Sequence, residues 1–160
     1  MTSTMRERGH TLVELLVVMA VLGILSSIAM PLAEMSVRRE RERELRRALW
    51  EIRDAIDAYQ RAGESGAISA AVAGSHLPPN LEALTRSHAD QRPGRRGVQL
   101  RFLRRVPRDP FADARLPAEQ TWGLRSHNSE DERPEPGADV FDVHSRSAGV
   151  GINGVPLRRW

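Results

Sequence analysis

Residues 9–33 read GHTLVELLVVMAVLGILSSIAMPLA, and this stretch decides the architecture of the chain. From Leu15 to Ala33 there are 19 residues without a charged side chain. At a helical rise of 1.5 Å per residue they span about 28 Å, close to the roughly 30 Å of a bilayer's hydrocarbon core. The stretch therefore predicts a membrane-spanning helix.

Glu14 interrupts this apolar region close to its start. A lone carboxylate costs about 2.5 to 3.5 kcal/mol at the centre of a membrane segment and less near an end, so it is rarely kept without a partner. The position of Glu14 therefore predicts a group that neutralises its charge.

Residues 9–17, GHTLVELLV, resemble the processing signal of type IV prepilins and type II secretion pseudopilins. In that family a membrane peptidase cuts after the glycine and methylates the new amino terminus, which implies cleavage between Gly9 and His10 and N-methylation of His10. The family usually has phenylalanine or methionine where this chain has His10. Its glutamate is the fifth residue after the cut, as Glu14 is here, and a proline follows in the helix, as Pro31 does. The resemblance implies that Glu14 and Pro31 serve filament assembly, with the amine or carboxylate of one subunit paired to the opposite charge on a neighbour.

Two other interpretations of the amino-terminal stretch stay open. The first is a Sec-type signal peptide, which needs a basic start, an apolar run and a cleavage site of small residues. Here these parts would be two arginines, the run from Leu15 to Leu25 and the small residues of Ser27–Ala29. An uncleaved signal anchor unrelated to pilins is the other interpretation. The position of Glu14 and the helical pattern that continues past Ala29 argue against a cut there.

Composition sets softer limits. The chain has 160 residues, which leaves room for one domain of about 100 residues after the membrane segment. Its 24 basic residues are all arginines, and the formal net charge is +3. There is no cysteine, which excludes a disulfide, a thiolate metal site and a cysteine nucleophile. Stability must come from packing or assembly.

The helical pattern continues past Pro31. Residues 34–47, EMSVRRERERELRR, are rich in helix formers. Apolar side chains then recur at steps of four and three, on one helix face, at Leu45, Leu49, Ile52, Ile56 and Tyr59. We expect one long helix that is kinked at Pro31, ends near Ala62–Gly63 and packs this stripe against a globular core.

The expected organisation is a leader (1–9), a membrane half-helix (10–33), an amphipathic half-helix (34–62) and a globular domain (63–160). Two arginines precede the membrane segment and six follow it closely, a count that would place the globular domain in the cytoplasm on the positive-inside rule. That rule is weakest where a whole domain is translocated, and the prepilin-like signal implies a cytoplasmic leader. We therefore expect a single-pass protein of the bacterial inner membrane, with its amino terminus cytoplasmic and its carboxyl-terminal domain periplasmic.

Short elements are expected in the globular domain. Small polar residues from Glu64 to Ala73 indicate a loop, and the proline and leucine spacing that follows predicts a short helix from about Pro79 to Ser87. Trp122–Ser126 and Val140–Ser145 are predicted strands. The expected fold class is therefore α+β, a pilin fold in which the long helix packs on a small antiparallel sheet with a short second helix.

This region also resembles the major pseudopilin of type II secretion, in residues 77–85 (LPPNLEALT), 102–111 (FLRRVPRDPF), 121–127 (TWGLRSH) and 139–149 (DVFDVHSRSAG). Those pseudopilins bind calcium in a late loop through oxygen ligands, which suit that ion. The resemblance implies a calcium site at Asp139, Asp142, Ser145 and Ser147. Ala148–Gly149 stands where an aspartate and a glycine are expected, and the alternative is that Asp139 and Asp142 are exposed residues at a strand end.

No other motif predicts chemistry. The histidines share no metal-ligand spacing, and the sequence contains neither a nucleophile elbow nor a phosphate-binding glycine loop, so we expect no catalytic site. Residues 86–125 carry ten arginines against four acids, whereas residues 126–142 carry one arginine against six acids. These segments either meet in neighbouring subunits or satisfy each other within one subunit. Few aromatic residues accompany the arginines, which makes nucleic acid an unlikely partner.

The function predicted from the sequence is structural. The chain is expected to be a pseudopilin-like subunit that polymerises through its long helix into a short filament, the pseudopilus, and helps drive type II protein secretion. The implied partners are further copies of itself, the prepilin peptidase and methyltransferase, other pseudopilins and an inner-membrane assembly platform. The alternatives are a type IV pilin for adhesion, motility or DNA uptake, and a Sec-exported or membrane-anchored periplasmic binding domain.

Overall fold

A computed structural model describes residues 11–72, 74–130 and 132–160, with the side chains of all of these except residues 28–31. The chain divides into two compact units, Met1–Glu40 and Arg41–Trp160. Helix α1, Leu12–Glu64, contributes residues to both units. The long amino-terminal helix and the small antiparallel sheets confirm the predicted α+β pilin fold.

Helix α1 ends through a glycine. Gly66 adopts a left-handed conformation with φ of 68°, its N–H donates to the carbonyl of Gly63 at 3.0 Å, and the N–H of Ala67 donates to the carbonyl of Ala62 at 2.8 Å. This pair of bonds is the Schellman motif, which satisfies carbonyls at a helix end. The sequence predicts the end near Ala62–Gly63, and the structure places it at Glu64 because Gly66 is the glycine that reverses the chain.

The predicted apolar stripe of α1 forms the centre of the core. Its five side chains are each between 0 and 2 % exposed, which confirms the packing role of Leu45, Leu49, Ile52, Ile56 and Tyr59. Around them lie apolar side chains from the rest of the domain: Leu81, Leu84, Leu103, Val106, Trp122, Val140, Val143 and Leu157. One helix face therefore organises a core drawn from almost the whole globular region.

Helix α2 is shorter than predicted and spans Leu81–Thr85. Asn80 caps it, since its side-chain oxygen accepts a hydrogen bond from the N–H of Ala83 at 3.0 Å. The helix ends before Arg86, which is extended. The carbonyl of Leu84 then accepts hydrogen bonds from two N–H groups of the following chain, Phe102 and Leu103.

Within the described ranges, four strands form two antiparallel pairs rather than one sheet. The pair of β1 (His88–Ala89) and β2 (Gln99–Leu100) is separate from the pair of β3 (Trp122–Arg125) and β4 (Asp142–Ser145). In the second pair Trp122 lies opposite Ser145 and Arg125 opposite Asp142. Two 3₁₀ turns, Ala118–Thr121 and Leu157–Arg159, complete the elements.

Both predicted strands are found and each is shortened, the first of them ending at Arg125 instead of Ser126. The second strand begins at Asp142 instead of Val140 because the N–H of Val140 donates to the carbonyl of Pro78, at 2.8 Å, before the pairing with β3 is established.

Candidate assembly surface

The first half of α1 exposes an almost continuous apolar surface. Among the described side chains between residues 12 and 37, the large apolar ones are 47 to 76 % exposed: Leu12, Val13, Leu15, Leu16, Val17, Val18, Met19, Val21, Leu22, Ile24, Leu25, Leu32, Met35 and Val37. In the described part of the chain α1 is the one helix long and apolar enough to cross a membrane. An exposed apolar patch of this extent marks contact with lipid or with other protein.

Glu14 lies in the first turn of this helix, and its side chain is exposed. The hydroxyl of Thr11 accepts a hydrogen bond from the N–H of Glu14 at 3.3 Å, and the carbonyl of Thr11 accepts one from Leu15 at 3.1 Å. A carboxylate in a first helical turn is favoured by the positive end of the helix dipole. The carboxylate thus sits at the start of the apolar surface.

Thr11 helps to position Glu14, and the sequence analysis did not predict this role. It caps the helix, and the signal was present in the spacing of Thr11 and Glu14, since threonine followed three residues later by glutamate is the pattern of a capping box. The cap fixes where α1 begins relative to Glu14.

Ser27 shows how a polar side chain is accommodated on the apolar surface. Its hydroxyl donates to the carbonyl of Ile24, one turn earlier, at 2.7 Å. The donor is therefore satisfied inside the helix, as a lipid environment demands.

Three sequence-predicted residues bear on processing and helix shape. Gly9 and His10, the predicted cleavage and methylation site, lie outside the described residues. Residue 31 falls within the bounds of α1, but the side chain of Pro31 is outside the described ones, so the kink stays a prediction.

Asp139, the first predicted calcium ligand, is engaged by protein donors. Its Oδ1 accepts from the hydroxyl of Ser126 at 2.8 Å and from the N–H of His127 at 2.9 Å. Burial raises the pKa of Asp139, but the hydrogen bonds from His127, Ser126 and Ser75 outweigh it and hold the pKa below its ordinary value. At 5 % exposure, Asp139 is not the exposed strand-end residue of the alternative interpretation.

Asp142, the second of the four, contacts helix α1. Its Oδ1 accepts from Nε of Arg53 at 2.8 Å, and both side chains are about one-third exposed. Nη2 of Arg53 donates to the main-chain oxygens of Val143 and Trp160. This three-way contact ties α1 to β4 and to the end of the second 3₁₀ turn.

Ser145 and Ser147 complete the predicted set. The hydroxyl of Ser145 donates to Oδ2 of buried Asp109 at 2.5 Å and accepts from the N–H of Ser147. The Ser147 hydroxyl accepts from the N–H of Gly149. The four predicted ligands thus each have protein partners, and no cluster of three or more histidine or acidic side chains suited to a metal occurs among residues 11–72, 74–130 and 132–160. Calcium binding stays a prediction.

The positive charge of the arginine-rich segment 86–125 is partly neutralised by carboxylates of the same segment. Arg92 binds buried Asp90 at 2.6 Å, lowering the pKa of that carboxyl to about 2, and Arg115 binds Asp113 at 2.8 Å. Arg108 donates to two main-chain carbonyls of the same segment. These local contacts reduce the charge that the segment offers to a partner.

Comparison with known proteins agrees with the amino-terminal geometry. A family model, the prokaryotic N-terminal methylation motif, matches residues 4–30. Neither the curated proteins nor the solved structures include a match. The motif implies processing by a prepilin peptidase and pilus-type assembly, and the long apolar helix suggests membrane anchoring. Together, the methylation motif, the placement of Glu14 and the exposed apolar half of α1 support a type IV pilin-like protein.

Proposed function

We propose that the protein is a pseudopilin, a non-enzymatic subunit that polymerises into a short periplasmic filament and helps drive type II protein secretion. The observation that carries the proposal is the exposed apolar half of α1, headed by Glu14 and joined to a separately packed domain. Burying that surface in a bundle of identical helices would remove it from lipid and water alike. The late-loop resemblance to the major pseudopilin favours secretion over a type IV pilus.

Glu14 would specify the assembly. In the membrane its carboxylate is costly, and pairing with a cation on a neighbouring subunit removes that cost. The proposed cation is the amine of a second copy, released by cleavage after Gly9. A subunit that is correctly seated in the filament would thus be favoured over one left in the bilayer.

The proposal includes a location and partners. The leader would face the cytoplasm, the domain would lie in the periplasm, and the membrane half of α1 would be drawn from the inner membrane into the filament. Prepilin peptidase, other pseudopilins and an inner-membrane assembly platform are the proposed partners.

Glu14→Ala tests the assembly role. The variant should insert into the inner membrane at the wild-type level but lose filaments, measured by membrane fractionation and by sedimentation and electron microscopy of sheared material. Glu34→Ala, which removes an acid from the same helix beyond the charge-free run, is the matched control and should assemble. Normal filaments from Glu14→Ala would overturn the proposed role.

Processing is tested on the mature protein. Intact mass and amino-terminal sequence should show a chain that starts at His10 and is heavier by one methyl group. Because the chain has no lysine, amine-reactive labelling reports only its amino terminus, which is a primary amine before methylation and a secondary amine after it. A start at Met30 would instead indicate a secreted soluble domain, and an uncut chain a plain membrane anchor.

Removal of the gene separates the two kinds of filament. A pseudopilin is expected to leave folded exoproteins in the periplasm when it is lost, with adhesion, motility and DNA uptake unchanged. The opposite pattern would identify a type IV pilin subunit.

A further inference from the structure

The second half of α1 carries an ordered row of side chains on the face opposite the core. These residues follow one another at steps of four and three, as the core stripe does, and all six are exposed: Arg43, Arg47, Trp50, Asp54, Asp57 and Arg61. We call this row the outer stripe. Trp50, at its middle, is 67 % exposed, which is unusual for so large an apolar side chain.

The charges of the outer stripe are segregated along the helix. Two arginines come first, then Trp50, then two aspartates, and Arg61 closes the row. Within the described part of the chain, no ion pair or side-chain hydrogen bond involves Arg47, Asp54 or Asp57. The described part of the domain thus does not pair Arg47, Asp54 or Asp57, whereas it does pair Arg53, Arg92 and Arg115 with carboxylates.

A second outer stripe is complementary only if it is displaced along the helix. At zero displacement each parallel residue faces its own copy, so arginine meets arginine and aspartate meets aspartate. A displacement of seven residues, about 10 Å at 1.5 Å per residue, brings Arg47 opposite Asp54 and Asp54 opposite Arg61. It also places Arg43 over Trp50, a cation–π pair.

A displacement of eleven residues, about 16 Å, is complementary in a different way. It brings Arg43 opposite Asp54 and Trp50 opposite Arg61. Seven and eleven residues are close to two and three helical turns, so both displacements keep the two stripes facing each other.

We propose that the outer stripe docks against the outer stripe of a second copy that lies parallel to the first and is displaced by two or three helical turns. The inference rests on the proposed filament function, because the membrane segment at the same end of every copy makes the copies parallel. Exposed charge pairs contribute orientation and register more than affinity. The outer stripe therefore sets the axial step between neighbouring subunits, while the apolar half of α1 supplies the burial.

Disulfide trapping in native membranes tests the displacement, because the chain has no cysteine of its own. Trp50→Cys with Asp57→Cys reports a seven-residue displacement and leaves Arg47 and Asp54 in place. Trp50→Cys with Arg61→Cys reports eleven residues and leaves Arg43 and Asp54. The two cysteines of one chain are too far apart along the helix to bridge each other. One double variant should give a ladder of multimers under mild oxidation, and Trp50→Cys alone should stay monomeric.

Three results would overturn the proposal. Disulfide dimers from Trp50→Cys alone would show an unshifted contact, and a double variant that stops at the dimer would show antiparallel pairing. Filaments in which neither double variant cross-links would show that other faces meet. If the wild type forms no filament at all, the proposed function fails, and this inference fails with it.

Charge reversal supplies a second test that does not depend on cysteine. Asp54→Arg should reduce the filament yield or change the axial step measured by electron microscopy, with membrane insertion and domain folding unchanged. Glu119→Arg is the control, since it makes the same change at an exposed acid away from the outer stripe. Equal filaments from both variants, with the wild-type axial step, would contradict the proposal.

Discussion

The two halves of α1 differ in the exposure of their leucine side chains. Leu22 in the first half is 52 % exposed, whereas Leu45 in the second half is 0 % exposed. Both residues lie in the same helix, α1. The second half has a domain to pack against, whereas the first half presents apolar side chains on all faces.

The difference shows where each half finds its stabilising surroundings. An amphipathic stripe is satisfied by one partner on one side, as the globular domain satisfies Leu45. A helix that is apolar all round needs a surrounding medium of lipid or other helices. The first half of α1 is therefore incomplete until a membrane or a filament surrounds it, whereas the core stripe of the second half is covered within the chain.

The largest expected effect comes from truncating the same residue type in each half. Leu45→Ala should lower the free energy of unfolding of the domain by about 2 to 5 kcal/mol, because it leaves a cavity in a closely packed core. Leu22→Ala should change it by less than about 0.5 kcal/mol, since its side chain touches no core. Guanidinium unfolding of the full chain in detergent micelles, followed by near-ultraviolet circular dichroism, gives both values. Similar losses for the two variants would remove the distinction between the halves.

A smaller effect is expected from the polar contacts that exist only in the domain. Asp109 is 2 % exposed and accepts from the hydroxyl of Ser145 and from the N–H of Phe111. Asp109→Ala leaves these donors without an acceptor and should cost about 1 to 3 kcal/mol.

Asp109→Asn keeps one acceptor oxygen and should cost less. Glu119→Ala, at an exposed acid, should stay within about 0.5 kcal/mol of the wild type. The three values come from the same denaturant titration, and a loss for Asp109→Ala no larger than that for Glu119→Ala would show that the buried contact is not stabilising.

The smallest expected effect is a change in the stability of the domain with pH. Burial lowers the pKa of His144, and the nearby arginines Arg146, Arg53 and Arg125 lower it further, against an opposing pull from Asp142. The folded state thus favours neutral His144, so its contribution is fully present above the unfolded pKa of about 6.5 and is lost as pH falls toward the lowered folded value.

Stability of the domain should therefore decline on acidification below about pH 6.5, and His144→Gln should flatten that decline. A further loss, below about pH 4, is expected from Asp139, whose lowered pKa makes its charged form the stable one. Thermal unfolding of the wild type and of His144→Gln from pH 7 to about 2 measures both losses. An unchanged slope in His144→Gln would rule out this histidine as the source.

The features that were predicted from sequence are those set by local patterns. The charge-free run, the position of Glu14 and the stripe from Leu45 to Tyr59 are periodic or contiguous in the chain, and the structure agrees with each. The strands at Trp122 and Asp142 were also found, because alternation and turn residues mark them.

The contacts between distant residues were not predictable in the same way. Asp142 was singled out as a calcium ligand, and its partner Arg53 lies 89 positions away with no motif to connect them. The start of β4 at Asp142 likewise depends on Pro78 accepting from Val140, a contact that the pattern of either segment does not contain. Such pairings are fixed by the packing of the complete core.

The contact between Arg53 and the main-chain oxygen of Trp160 joins residues 107 positions apart, and this separation has a consequence in time. At synthesis rates of about 5 to 20 residues per second, roughly 5 to 20 s pass between the appearance of the two residues. During that interval the stripe around Leu49 has emerged without Val143 and Leu157, which belong to the same core. During this interval a nascent chain therefore exposes the apolar stripe of α1 that Val143 and Leu157 help to cover in the finished protein.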